Sequence, residues 1–186
     1  MLNWLFGKRT EATVGEDCVW LSEAARLQGL QGEVSRLVTA GLNVMVVAPT
    51  KDALSSLLAA FSAHQPARCQ SVFDRDALLR RLGDTPTVAV ALADALPHAA
   101  KPPREIRIEI LVYGRNMRRS ADDTIVRFAN VVGPGARVTF HLTLEDPFLR
   151  QQSERLKPLI EKLRMPENEP ISHPFVTKAI AQAQSK

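Results

Sequence analysis

Apolar residues in this chain switch repeatedly between a period of two and a period near 3.6, the spacings that separate strands from helices. Arg137–Arg150 shows the first at its clearest. Val138, Phe140 and Leu142 alternate with Thr139, His141 and Thr143, which predicts a strand with one buried face. Asp146 followed by Pro147 reads as a helix N-cap and first helical position. The strand thus runs into a helix, with Leu144, Glu145 and Asp146 at its carboxyl end, where open α/β sheets bind ligands.

The same two spacings order the rest of the chain. Asp17–Leu21 reads as a short strand, and Ser22 caps a helix carrying Leu27, Leu30, Val34, Leu37 and Val38 up to Gly41. Gly29 and Gly32 each weaken that helix by up to about 1 kcal/mol relative to Ala. Val44–Ala48 is a continuous apolar run, as in a central parallel strand covered on both faces. Thr50 caps the next helix, with Leu54, Leu57, Leu58 and Phe61 in one stripe. Arg68–Phe73 reads as a strand, Asp74–Leu82 as a short helix ended by Gly83, and Thr87–Leu92 as a strand of small residues. A proline-rich loop, Pro97–Arg104, leads to a strong strand at Arg107–Tyr113. Ser120 with Asp123 resembles a capping box opening a helix through Asn130, and Gly133-Pro134-Gly135 makes a turn. Helices are expected at Ser153–Arg164, interrupted by Pro158, and at Ser172–Gln184.

Strands alternating with helices predict an α/β fold: a parallel sheet of about six strands between two layers of helices, a three-layer α/β/α arrangement. The domains expected are an apolar and basic extension with a polar linker at 1–16, the α/β domain at 17–164, and a loop and helix at 165–186. With 186 residues the chain can bury about two-thirds of its unfolded surface and needs no covalent staples. Cys18 and Cys69 stand in apolar contexts without metal-ligand spacing, which reads as two buried thiols in a reducing cytosol. No apolar run approaches the about 18 residues that span a bilayer, and Met1–Phe6 is too short for a signal peptide core. The expected location is cytoplasmic.

A net charge of +4 and a pI of about 9.4 permit contact with phosphate or anionic lipid without demanding it. At the amino terminus Trp4, Leu5 and Phe6 precede Lys8 and Arg9, a mixture suited to a membrane interface or a partner surface. A membrane-peripheral position is therefore one expectation, and a patch docked on the domain is the other. Tyr113–Ser120 holds Arg115, Arg118 and Arg119 between a strand and a helix N-terminus, where an anion is favoured. An anion-binding or partner-binding loop and a plain solvated loop both fit. Nucleic acid fits less well, because aromatics are 5% of the chain and no stacking platform accompanies the arginines.

Catalytic signatures are missing. The sequence contains no G-x-x-x-x-G-K-[ST] phosphate loop, no G-x-G-x-x-G and no G-x-S-x-G elbow. His64, His98, His141 and His173 are scattered without metal-ligand spacing, so no metal and no cofactor are expected. Glu145-Asp146 after an apolar strand has the look of a magnesium-binding pair, but without a phosphate loop it reads as a cap at a strand end.

The tail Met165–Lys186 resembles the segment of SecA preprotein translocase ATPases that leads from the second nucleotide-binding domain into the helical scaffold. Matching positions are Met165, Glu169, Ile171, His173, Val176, Thr177, Lys178, Ala179, Ile180, Ala183 and Gln184, with Phe175 where the family usually has Trp. Leu142–Leu149, Gly41–Ala48 with Lys51–Leu58, and the amino-terminal MLNWLFGKR are similar to further parts of that family. The resemblance implies a RecA-like domain of the P-loop NTPase and helicase C-terminal type. It also implies a protein partner in transport: a translocase, secretion or motor component. The last helix, through Phe175, Val176 and Ile180, is expected to dock on its own domain; the alternative is a stripe left open to recruit a partner helix.

Departures from the family bear on activity. Its phosphate loop belongs to a first motor domain, for which 186 residues leave no room, so a stand-alone second domain is expected. Its arginine-finger motif falls on Val126–Val131, VRFANV, where only Arg127 is basic, although Arg115, Arg119 and Asp122 match the flanks. The glycine-rich stretch after the Thr87–Leu92 strand reads ALADALP. The expectation is a degenerate, non-catalytic binding or regulatory module. The alternatives are half of a split ATPase acting in trans and a nucleic-acid-binding helicase remnant.

Overall fold

The computed structural model describes residues 11–82, 85–99, 101–116, 118–147, 149 and 169–171. The expectations for Trp4, Leu5, Phe6, Lys8 and Arg9, for the helices at 153–164 and 172–184, and for Phe175, Val176 and Ile180 lie outside these residues.

Among the described residues seven strands form one sheet: β1 (Thr13–Val14), β2 (Cys18–Trp20), β3 (Asn43–Ala48), β4 (Ala67–Cys69), β5 (Val88–Leu92), β6 (Ile108–Tyr113) and β7 (Ala136–Thr143). The order is β1-β7-β6-β3-β5-β4, with β2 also on β7, and every pairing is parallel. Helices α1 (Glu23–Thr39) and α2 (Lys51–Ala60) cover one face, where Leu30, Val34, Leu37, Leu54 and Leu57 pack on Val44, Val46, Val88, Val90 and Leu111. Helices α3 (Val72–Arg81) and α4 (Arg119–Val132) cover the other, over Met45, Val47, Ile110, Val138 and Phe140. The α/β/α arrangement expected from the alternating pattern is the observed one.

Local chemistry explains most boundaries. Ser22 and Thr50 cap α1 and α2, their hydroxyls accepting from the N–H groups of Ala25 and Ala53 at 3.2 Å. Gly41, at φ +78°, turns the chain out of α1. Every residue of β3 and β5 is buried, as befits central parallel strands. Gly29 has a packing reason: a Cβ there would lie 2.0 Å from the Trp20 ring, whereas a Cβ at Gly32 meets nothing within 4 Å.

Several expectations are corrected. The strand read at Arg68–Phe73 is only Ala67–Cys69, because Ser71 starts α3. Ser71 and Asp74 form a reciprocal capping box, Asp74 Oδ2 accepting from the Ser71 N–H at 3.0 Å and the Ser71 hydroxyl accepting from the Asp74 N–H at 3.2 Å. A bond from the Gln70 N–H, and then those from Ser71, hold the half-buried Asp74 carboxyl below its ordinary pKa. No such box forms at Ser120 and Asp123, since α4 begins two residues earlier with Arg118 as an N-cap that makes no side-chain bond. α4 also runs to Val132 rather than Asn130. The stretch read as a polar linker contributes β1, and β7 is buried on both faces rather than one. The Asp146 carboxylate accepts from the Thr143 N–H at 2.9 Å. The helix expected beyond Pro147 lies outside the described residues.

Candidate functional site

The carboxyl ends of β6 and β7 gather the charged residues singled out in the sequence, and the gathering is done by two arginines, one on each face of β7.

Arg115 follows Gly114, whose φ of +94° bends the chain off β6. Its guanidinium lies 3.9 Å from the centroid of the Phe140 ring. From there it reaches Asp17, ahead of β2, through Nε at 3.2 Å and Nη2 at 2.7 Å. Nη1 donates to Asp122 of α4 at 3.0 Å. The second oxygen of Asp122 accepts from the Asn116 N–H at 3.0 Å. Asp122 is buried, so this is a forked arginine spanning two carboxylates rather than a loosely held surface pair. Arg118 and Arg119, three and four residues on, are exposed at the start of α4. The three arginines of one short loop are thus split: Arg115 is bound within the fold, and Arg118 and Arg119 face solvent.

Arg26 of α1 occupies the other face. It is 5% exposed and lies over the Tyr113 ring at 3.8 Å. It donates to the His141 carbonyl and to both oxygens of Asp146 at 3.3 Å, and it pairs with Glu23. Glu145 accepts from the Glu23 N–H at 3.0 Å, placing a carboxylate at the positive end of α1. The Glu145-Asp146 pair therefore ties β7 to α1. Among the described residues no cluster of His, Cys, Asp or Glu suits a metal.

His141 is fully buried between these groups. The Trp20 indole N–H donates to Nδ1 at 3.3 Å, so in the neutral ring the proton sits on Nε2, 3.5 Å from Glu33 Oε2. Burial, with the nearby Arg26 charge, pushes the imidazole pKa down to about 3, and burial raises that of Glu33. A neutral imidazole facing a carboxylate is not an ion pair and not a poised base. Cys18 lies beside His141 in the β2–β7 register, but burial first and then Glu33 push its thiol up to about 11, which removes the thiolate needed for nucleophilic chemistry. Cys69 is buried, free and likewise raised to about 11.

Arg127, the basic residue of VRFANV, projects from the exposed side of α4 and donates to Thr124 Oγ1 at 2.8 Å. Sequence reasoning missed Arg26 and Arg75, both buried cations on helices whose partners lie about 120 and 20 residues away. Only an arginine at a core-facing helical position could have signalled them.

No protein-family model matches the chain. Over 80 residues it is 38% identical to the protein translocase subunit SecA of Dechloromonas aromatica, a match covering 42% of this chain and 9% of that protein. The corresponding subunit of Nitrosomonas europaea is 39% identical over 80 residues, again 42% and 9% of the two chains, and that of Sorangium cellulosum 38% over 78 residues, 41% and 8%. The matched segment is homologous to SecA. It amounts to less than a tenth of the length of these SecA relatives. Among solved structures, the C-terminal part of the Fun30 ATPase domain superposes with a TM-score of 0.52 at 11% identity, over 86% of this chain and 53% of that one. T4 UvsW gives 0.50 at 9% identity, over 74% and 33%. The fold is that of a RecA-like, helicase C-terminal domain, as the SecA resemblance implies.

Proposed function

We propose that the chain is a non-catalytic binding module, derived from the second motor domain of a SecA-like translocase and acting through protein–protein contacts in protein transport. The SecA homology supports the process, and the commitment of Arg115 supports the absence of catalysis. An arginine that reaches ATP must offer its donors to a phosphate at the moment of transfer. Here those donors are held by Asp17 and Asp122, and freeing them would break two ion pairs, one of them to a buried carboxylate. His141 and Cys18 are held in unreactive protonation states, and the sequence has no phosphate-cradling loop. Among the described residues no helix is long and apolar enough to cross a membrane. In this reading the module works from the cytoplasmic side, as a partner of membrane-associated machinery.

Calorimetry with Mg-ATP is expected to give no binding heat into the millimolar range, and purified SecA from the same cell is the first partner to titrate. Micromolar ATP binding at one site, or faster ATP hydrolysis by SecA when the chain is added, would overturn the non-catalytic reading in favour of a split ATPase.

A further inference from the structure

The surface between α4 and the loop after β5 runs from the carboxyl end of β5 to the turns ahead of β6 and β7. Two hollows of about 500 and 570 Å3 line the flank of α4, and Val131 belongs to both. Their floor is apolar, with Leu96 and Phe128 in one and Pro102 and Val132 in the other, all buried. From Thr124 to Val132 the helix rises about 12 Å, the length of about four residues of extended chain.

The opposite wall is built to stay in place. Arg75 of α3, 2% exposed, gathers the carbonyls of four successive residues: Ala95 at 3.0 Å, Leu96 at 3.2 Å, His98 at 3.5 Å, and Pro97. His98 is held at φ +57°, a left-handed conformation that non-glycine residues seldom adopt. Arg104 anchors the far end by donating to the Leu82 carbonyl at 3.1 Å. Pro97, Pro102 and Pro103 each lock their own φ. A wall that is already ordered costs little further entropy when something settles against it.

The charged lining is mainly cationic. Arg127 stands on α4 with its guanidinium steadied by Thr124, Lys101 is exposed on the loop, and Glu105 is the one acid among the lining residues. We infer that this groove receives an extended, apolar segment of a partner protein that carries acidic side chains. The inference rests on the binding-module reading and gives that reading its contact surface. The chain's own first residues are poor occupants. The Ala12 N–H donates to Asn130 beside the groove at 2.9 Å, but Lys8 and Arg9 just before it share the sign of the rim.

A random heptapeptide library selected on the full chain tests this. Enrichment of peptides combining Asp or Glu with large apolar residues is expected. Lys101→Glu with Arg127→Glu should weaken a selected peptide about tenfold while leaving the thermal midpoint unchanged. Val131→Arg, at the junction of the two hollows, should do the same by filling it. Arg118→Ala with Arg119→Ala should not change peptide affinity. No enrichment, enrichment of basic peptides, indifference to the charge reversals, or tighter binding of a twelve-nucleotide oligothymidine would each overturn the inference. SecA binding the Lys101→Glu/Arg127→Glu chain at full strength would overturn the groove and leave the binding-module reading standing. ATP binding alongside an intact acidic-peptide preference would overturn that reading and support the groove.

Discussion

On the α4 side of β7, Val138, Phe140 and Leu142 pack into the larger apolar cluster with Ile125, Phe128 and Val132, and shape alone has to match. On the α1 side, Thr139, His141 and Thr143 are buried just as well, at 8%, 0% and 0% exposure, but they need partners. Trp20 and Arg26 supply some of them. Three buried atoms on that side, Arg26 Nε, His141 Nε2 and Thr143 Oγ1, make no hydrogen bond among the described residues. One strand thus shows two ways of being buried. The apolar face tolerates small errors of fit, whereas the polar face concentrates its energy in a few directional contacts whose loss leaves a charge or donor stranded.

The strongest test removes a carboxylate from the Arg115 bridge. Asp122→Ala should cost about 3–5 kcal/mol of unfolding free energy in urea, because it leaves a largely buried guanidinium half-paired. A loss below about 1 kcal/mol would mean that the bridge is ornamental. Next comes Gly29→Ala, which drives a methyl into the Trp20 ring and should cost about 2 kcal/mol, while Gly32→Ala, in open space, should add up to about 1 kcal/mol. Equal effects at the two glycines would contradict the close approach of Trp20 to α1.

His141 predicts a pH dependence of similar size. Its pKa is about 3 folded against 6.5 unfolded, so above pH 6.5 it is neutral in both states and its contribution is complete. As pH falls below 6.5 only the unfolded chain takes up the proton, and stability should drop by about 2 kcal/mol by pH 5. Glu33 and Glu109, both raised, act in the opposite direction, since the folded state protonates them first as pH falls. A slope between pH 6.5 and 5 that is no flatter in His141→Gln than in the wild type would assign it to other groups. The smallest effect belongs to the exposed pair. Arg118→Ala with Arg119→Ala should leave the urea midpoint within about 0.5 kcal/mol of wild type.

The sequence by itself determined the α/β alternation, the caps at Ser22 and Thr50 and the buried run of β3, because these depend on neighbours a few residues apart. Local signals failed where two competed. The β-prone Val72 and Phe73 extend a strand on paper, yet the Ser71–Asp74 capping box makes them the first turn of α3 and leaves Phe73 81% exposed. The roles of Arg115, Arg26 and His141 could not be read in advance. Nothing near Arg115 in sequence distinguishes it from Arg118. It is the β2–β7–β6 order that brings Asp17 within 2.7 Å of it, from 98 residues away, and makes this one arginine of the loop an internal brace. Likewise the alternation of β7 predicts one wet face. Only the docking of α1 decides that this face is dry, because burial depends on what lies across the strand and not on the strand itself.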